Sequence, residues 1–345
     1  KTLVRDLPAI ETLARVDVIC LDKTGTITSG DLKFERTIPL MKDVTTAQLE
    51  RILAGIAYGT GDTNETARAI KRAFSDPLLT PQTIVPFSSQ RKWSGVEFGK
   101  DEQFVFGAPQ FIFHQLSKSI QDQIQTYAKQ GYRVLAIAKV GELDAEKPLE
   151  NPQLLGLSLI SDVIRPNARN TFGYFKNQGV TIKVISGDDP TTVATIATNA
   201  GIENADKLID MSTVPDDADF GKIVTENTVF GRVTPDQKKQ LISALQARKH
   251  TVAMTGDGVN DLLALRQADC GIAMASGSES TKSIADFVLI NSNFDAMIDV
   301  LNEGRRVINN IERVASMYLI KTMYSVALAI IFVFLAMQYP FEPIQ

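Results

Sequence analysis

The sequence predicts an α/β fold: a doubly wound parallel sheet, an α+β block inserted after its first strand, and a long apolar helix toward the C-terminal end. Three observations predict it. Apolar, β-branched runs at 16–21, 180–185, 251–254, 271–274 and 287–290 alternate with helical patterns, the rhythm of parallel strands joined by crossovers. Between about 33 and 155 that rhythm stops, and helices and short strands follow without alternation. Residues 317–337 are predominantly apolar, with Lys321 as their one charge. The 345 residues leave room for about two domains, taking ~150 residues per domain. A hydrophobic content of 44% and a charged content of 22% suffice for a sizeable core.

Taken in order, 8–14 reads as a helical turn leading into the first strand. Patterns at 43–58 and 65–74 read as helices, and 77–86 as a link punctuated by proline. Val96-Glu97-Phe98 and Gln103-Phe104-Val105-Phe106 read as hairpin strands around Gly99-Lys100-Asp101-Glu102. Residues 111–130 are expected to form one helix and 132–140 an alternating strand. The parallel rhythm resumes with a strand at 154–160, a helix at 166–178 stopped by Gly179, a strand at 180–186 and a helix at 190–200 stopped by Gly201. After a short strand at 228–230, Thr234, Pro235 and Gln237 supply a helix cap, a first-position proline and a capping box. A strand at 251–254, a helix at 260–268 and strands at 271–274 and 287–290 complete the sheet. An amphipathic helix over 293–316, with Ile298, Leu301, Ile308, Ile311 and Ala315 near helical spacing, is expected to run on into the apolar span. The chain thus divides into a parallel-sheet domain (1–32 and 156–292), an inserted domain (33–155), a connecting helix (293–316) and an apolar span (317–338).

Composition removes several functions. A net charge of −4 without a basic cluster leaves no footprint for nucleic acid. Cys20 and Cys270 lie in apolar strand-like runs, which suits buried thiols in a reducing compartment rather than a disulfide. His114 and His250 are far apart and have no ligand spacing around them, so no zinc site is expected. Residues 1–15 lack the pattern of a secretory leader. About 20 apolar residues cross a bilayer, so 317–338 reads as a transmembrane helix in the cell membrane, the other reading being a buried core helix. Arg305, Arg306 and Arg313 place the preceding side in the cytoplasm. Lys321 is either an interfacial lysine that snorkels or a built-in counter-charge.

The chemistry gathers at strand ends. Asp22 closes the first strand, and Thr24, Gly25 and Thr26 then turn the chain with small side chains that leave backbone N–H groups free for an anion. Beside Lys23, such a carboxylate is placed to attack phosphorus; the plain alternative is an aspartate capping a turn. Later strands end in Ser186-Gly187-Asp188 and in Thr255-Gly256-Asp257-Gly258-Val259-Asn260-Asp261, and Gly231-Arg232-Val233-Thr234-Pro235 leads into a helix carrying Lys238. In a parallel sheet these converge on the Asp22 edge. Phosphoryl transfer needs such a set: Asp22 as nucleophile, Asp257 with Asp22 for Mg²⁺, Ser186 and the Gly187 amide for phosphate oxygens, Lys238 for developing charge, and Asn260 and Asp261 to orient phosphate and metal. Asp188 and Arg232, in the same motifs, are counted among the nucleotide contacts.

Asp22-Lys23-Thr24-Gly25-Thr26 and the run from Thr255 to Asp261 resemble the signatures of the P-type cation-transporting ATPases, within the haloacid-dehalogenase-like superfamily of Rossmann-like folds. The resemblance implies that ATP phosphorylates Asp22, that Mg²⁺ is held by Asp22, Asp257 and the Thr24 carbonyl, and that Asp162 and Arg165 form a hinge and ATP-contact motif. It makes the inserted block a nucleotide-binding domain, with Phe87 stacking on adenine, Lys92 near the phosphates, Glu65 and Arg133 touching ATP, and Gly107 and Ala108 letting backbone approach the base. From the residues alone, Phe87 reads as core rather than as a base platform, and it is the resemblance that reverses this; Trp93, His114 and Tyr132 read as packing or surface. Phe106 stands where many relatives have a pocket lysine. Thr24 replaces the general-acid aspartate of the superfamily's soluble phosphatases, which disfavours that rival and lets a phosphoenzyme persist. A nucleotide-binding module without turnover is the other rival. The resemblance also implies an actuator domain and further membrane helices as partners, and a transported cation. The family's heavy-metal members carry a His-Pro pair in this domain and this sequence has none, which points away from copper, zinc or cadmium; the compact inserted block and Lys321-Thr322-Met323-Tyr324-Ser325 resemble the bacterial E-type subgroup, with calcium as the usual suggestion.

Overall fold

Backbone hydrogen bonding sorts the strands into two sheets. The computed structural model describes residues 2–6, 8–215, 217–290 and 293–335. The chain begins with β1 (Thr2–Val4), α1 (Pro8–Ala14) and β2 (Val18–Leu21). After the tight turn Lys23–Ile27 come β3 (Thr28–Pro39), α2 (Thr46–Gly59), α3 (Glu65–Ala73), β4 (Thr83–Val85), β5 (Trp93–Glu97) and β6 (Gln103–Gly107). Next are α4 (Pro109–Ile112), α5 (Lys118–Lys129), β7 (Tyr132–Lys139), β8 (Gln153–Ile164), α6 (Ala168–Asn177), β9 (Thr181–Ile185) and α7 (Pro190–Asn199). Then follow β10 (Leu208–Asp210), α8 (Phe220–Glu226), β11 (Val229–Gly231), α9 (Pro235–Ala247), β12 (Val252–Gly256) and α10 (Leu262–Gln267). The last elements are β13 (Cys270–Met274), α11 (Glu279–Ile284), β14 (Phe287–Leu289) and α12 (Ala296–Phe334).

The first sheet has eight strands in the order β1-β14-β13-β12-β2-β9-β11-β10, parallel except for the antiparallel edge strand β1. The chain leaves β2 toward β9 on one side and returns to β12 on the other, so β2 lies where the winding reverses. Side chains of open α/β sheets converge in the crevice at such a switch point. Every residue of β2, β12 and β13 is buried, as strands covered on both faces must be. One face packs on α1, α6, α7 and the start of α12, through Leu13, Phe172, Phe175, Val193, Met297 and Leu301. The other packs on α8, α9 and α10, through Val224, Leu241, Ile242, Leu245 and Leu265.

The second sheet is antiparallel, six strands in the order β3-β8-β7-β6-β5-β4, with α2 and α3 packed on one face. Several expectations change here. The strand expected at 154–160 as part of the parallel rhythm is β8, which pairs antiparallel with β3 and β7. Its partner β3 carries only a short alternation, Leu32 and Phe34 between Asp31, Lys33 and Glu35, which Arg36 interrupts; pairing with the apolar β8 extends it as a strand. The helix expected over 111–130 is two, because Phe113 turns extended once Ile112 is buried. Strands β1, β4 and β10 and helices α8 and α11 are short elements that carry no periodic pattern long enough to read. Trp93 is buried in the second sheet, and Cys20 and Cys270 are buried free thiols.

The amphipathic and apolar segments form one helix of 39 residues, α12, about 58 Å long at 1.5 Å per residue. Its first turns are buried in the core, and Met317, Tyr318, Ile320 and Met323 are exposed. The apolar window is long and hydrophobic enough to cross a membrane and is not covered by the rest of the chain. Residues 336–338 of the expected span lie outside the described residues.

Phe175 is 1% exposed and packs its ring on Phe294 at a centroid distance of 5.5 Å, next to the start of α12. Phe175→Ala is expected to lower the unfolding free energy by about 3–5 kcal/mol, read as a lower denaturant midpoint with little change in slope.

Candidate active site

The register of the parallel sheet levels its strand ends. Leu21 lies opposite Val184 of β9, and Cys20 opposite Met254 of β12, so Asp22, Ser186 and Thr255-Gly256-Asp257 share one edge. The Asp22 amide donates to the Thr255 hydroxyl at 3.2 Å, and the Thr26 and Thr255 hydroxyls lie 3.2 Å apart. Thr255 and Thr26 were not among the expected site residues; a hydroxyl directly before the strand-end Gly-Asp was the available signal. Gly25 has φ +74°, and a Cβ there would sit 2.3 Å from Asp257 Oδ2. That position therefore requires glycine both for its backbone and for the approach of the carboxylate.

Lys238 is placed by local rules. Thr234 caps α9, Gln237 completes the capping box, Pro235 takes the first turn, and the Lys238 amide closes the first helical hydrogen bond to the Thr234 carbonyl at 2.9 Å. The buried ammonium then donates to Asp22 Oδ1 at 3.0 Å and to Asp261 Oδ1 at 2.5 Å. The second Asp261 oxygen accepts from the Gly258 amide at 3.2 Å. Carboxylate oxygens of Asp22, Asp257 and Asp261 all lie within 4.8 Å of one another. Three carboxylates against one ammonium give a formal charge of −2. An all-oxygen donor set with that surplus fits a hard divalent cation such as Mg²⁺.

Burial pushes the Asp22 carboxyl up from 3.8 to about 7, with Asp261 and Asp257 adding to the rise and Lys238 opposing it. Burial and Asp261 raise Asp257 as well. For Lys238 burial acts downward, but Asp22 and Asp261 outweigh it and hold the ammonium above its ordinary value.

The other expected residues are distributed around this core. Lys23 is 2% exposed, and its ammonium is taken up by Asp162 at 3.2 Å and Asp188 at 2.6 Å. Arg165 donates to the carbonyls of Gly25 at 2.6 Å and Thr26 at 3.2 Å, clamping the turn after Asp22. Ser186 is buried and its hydroxyl accepts from the Asp188 amide at 3.2 Å; Gly187, Thr24 and Asn260 are exposed. Arg232, with φ +51°, pairs with Asp189 at 2.7 Å and Asp210 at 2.5 Å. Sequence reading also passed over the loop before α11, where the Ser278 amide donates to the Asp257 carbonyl at 2.8 Å.

A separate cavity of about 430 Å³ opens in the antiparallel unit. Glu65, Phe87, Lys92, Gly107, Ala108 and Arg133, scattered over two strands, a helix and two loops, all line it. Asp162, Arg165, Asp188 and Arg232 do not; they belong to the Asp22 edge. Phe87 is 40% exposed on the cavity wall, not core. Glu65, ion-paired through Oε1 with Arg68 at 2.8 Å, has its Oε2 buried without a hydrogen-bond partner among the described residues, in the wall of a volume typical of small-molecule sites. Asp62, Ser94 and the buried Phe106 share the lining.

A family model described as haloacid dehalogenase-like hydrolase matches residues 16–269. The chain belongs to the haloacid dehalogenase-like hydrolase family. The match takes in Asp22, Lys238, Asp257 and Asp261 together with the whole antiparallel sheet. The chain is 41% identical to a probable cation-transporting ATPase of Streptococcus pneumoniae over 100% of its length and 45% of that protein. It is 40% identical to a calcium-transporting ATPase of Mycolicibacterium smegmatis over 95% of its length and 41% of that protein. The chain therefore spans a little under half the length of these curated relatives. Its fold is that of a zinc-transporting PIB-type ATPase in the E2·Pi state, with a TM-score of 0.72 and 21% identity, over 98% of this chain and 48% of that one.

Within this haloacid dehalogenase-like site the raised Asp22 value has a thermodynamic sign. The folded chain holds a proton on Asp22 that the unfolded chain releases at about 3.8, so this group's stabilisation is full below that pH and is lost as pH rises through about 7. With divalent metal chelated, Asp22→Asn is expected to stabilise the chain by on the order of 2 kcal/mol at pH 8.5, the gain shrinking toward pH 5. Thermal unfolding across that range checks it; a gain that grows on acidification contradicts the sign.

Proposed function

We propose that this chain is the catalytic part of a P-type cation-transporting ATPase and that Asp22 accepts the γ-phosphoryl group of ATP. The observation that carries the reading is the buried Lys238 bridging Asp22 and Asp261, with Asp257 alongside. A neutral carboxyl is a poor nucleophile, so the raised Asp22 must be drawn into its ionised form before it can react. Asp22, Asp257 and the Thr24 carbonyl would hold Mg²⁺, whose positive charge would favour the ionised carboxylate and offset charge on the phosphate oxygens. An Asp22 oxygen attacks the γ-phosphorus, the bond from phosphorus to the bridging oxygen breaks, and ADP leaves with that oxygen's electron pair. Lys238 offsets charge that develops on the equatorial oxygens, and the Ser186 hydroxyl and Gly187 amide donate to them. Asn260 and Asp261 orient phosphate and metal, and Lys23 anchors the loop through Asp162 and Asp188.

The domain of 33–155 is proposed to deliver ATP, with adenine against Phe87, Gly107 and Ala108, Glu65 and Arg133 as polar contacts and Lys92 toward the phosphates. Asp188, Arg232, Asp162 and Arg165 are proposed to meet the nucleotide from the Asp22 side, where the domain of 1–32 and 156–292 presents them. Thr24 offers no carboxylate to hasten breakdown of the aspartyl phosphate, so the phosphoenzyme persists long enough to drive a conformational cycle. The long apolar helix and Thr24 both speak against a soluble phosphatase. In this reading the connecting helix leads from cytoplasmic catalytic domains into the cell membrane, where an actuator domain and further helices of the pump complete the cycle. The transported species is a cation, and calcium is the first to test because a relative 40% identical is named for it.

With γ-phosphate-radiolabelled ATP and Mg²⁺, the protein is expected to acquire an acid-stable, hydroxylamine-sensitive label. Asp22→Asn abolishes it, and Lys238→Met reduces it by about tenfold or more. Label that persists in Asp22→Asn removes Asp22 from the role.

A further inference from the structure

We propose that Asp62 is a positioning residue for the nucleotide: it holds the loop bearing Phe87 against the cavity, so that ATP binding depends on Asp62 through Phe87. The inference rests on the nucleotide-binding reading of that cavity.

Asp62 lies in the turn between α2 and α3, after Gly61 at φ +68°. Its own backbone is tied on both sides. The Asp62 amide donates to the Thr60 hydroxyl at 3.4 Å, and its carbonyl accepts from the Lys71 ammonium at 3.0 Å. Both carboxylate oxygens lie 3.2 Å from the Phe87 backbone nitrogen, so the Phe87 N–H points between them. A bond to an ionised acceptor is among the stronger hydrogen bonds available to an amide.

Phe87 needs such a tether. Its ring is 40% exposed, so core packing does not orient it, and an exposed aromatic makes a useful stacking surface only if its backbone is held. The loop is closed on itself by Arg91 donating to the Pro86 carbonyl at 2.8 Å and by the Lys92 amide donating to the Ser88 carbonyl at 2.7 Å. The paired strands β4 and β5 anchor the loop's ends at Val85 and Trp93, and the Ala108 amide donates to the Lys92 carbonyl at 3.0 Å, which leaves the Phe87 amide to be fixed from outside the loop. Asp62 joins it to the turn that leads directly into α3, where Glu65 sits, so one carboxylate brings the Phe87 and Lys92 wall to the Glu65 wall. Direct contact between Asp62 and a triphosphate would be repulsive, which leaves the amide tether as the carboxylate's use.

A double-variant cycle on MgATP binding tests this, read by displacement of a fluorescent ATP analogue from variants that unfold thermally like the wild type. Failure of the wild type to bind ATP removes the cavity's nucleotide reading itself. With the wild type binding, Asp62→Ala is expected to raise Kd about tenfold. Asp62→Asn keeps an acceptor oxygen and stays within about threefold. In a Phe87→Ala background, Asp62→Ala adds no further loss. Should Asp62→Ala not fold, Asp62→Ser, too short to reach the Phe87 amide, takes its place in the cycle. Additive losses in the double variant, or an Asp62→Asn as weak as Asp62→Ala, overturn the proposal while leaving the nucleotide site standing.

Discussion

A buried ammonium decides whether the strand ends of the parallel sheet can face one another. Asp22, Asp257 and Asp261 crowd within 4.8 Å of each other, and Lys238 alone among the described cations bridges two of them. Taking one partner from a buried pair costs about 3–5 kcal/mol, because it strands a charge away from water. Here the stranded charges would be carboxylates already pushed toward their neutral forms by burial and by each other. The structure meets the problem with a lysine one turn inside a capped helix, where sequence-local rules set its height. The residual negative charge is the feature that a divalent cation would neutralise.

The turn after Asp22 is the second constraint, and it ties the two sheets together. Asp162 lies on β8 and Arg165 just beyond it, and between them they hold Lys23 and the carbonyls of Gly25 and Thr26. The β3–β8 ribbon that carries the antiparallel sheet therefore also grips the turn after Asp22. Displacement of that sheet has a direct mechanical route to the Asp22 backbone.

The third relation runs toward the apolar helix. Met297 and Leu301 of α12 share the core cluster that contains Ile19 and Leu21 of β2. Gly304 lets α12 approach α1 so closely that a Cβ would meet the Ile10 carbonyl at 2.7 Å. Tyr174 of α6 adds a hydrogen bond to Asn302 at 2.5 Å. The same continuous helix then presents an uncovered apolar surface. Catalytic edge and apolar span are thus joined by packing and unbroken helix rather than by a linker.

The residue pattern by itself determined the parallel sheet, the place of Asp22, Ser186 and Asp257 at strand ends, the capped helix of Lys238 and the helix running into an apolar span. Each is written locally, as apolar runs, glycine turns or a capping box. Legible in the motifs, but not in periodicity, were Glu65, Phe87, Lys92 and Arg133, which lie on elements with no common pattern yet line one cavity. Only the tertiary structure decided that charged β3 is a strand, that Lys23 turns to Asp162 and Asp188, that Arg165 grips the Asp22 turn and that Asp62 tethers Phe87. The reason is the same in each case: these depend on partners up to about 165 positions away, and a single chain's local preferences carry no record of which distant group will satisfy a buried charge or an unpaired backbone edge.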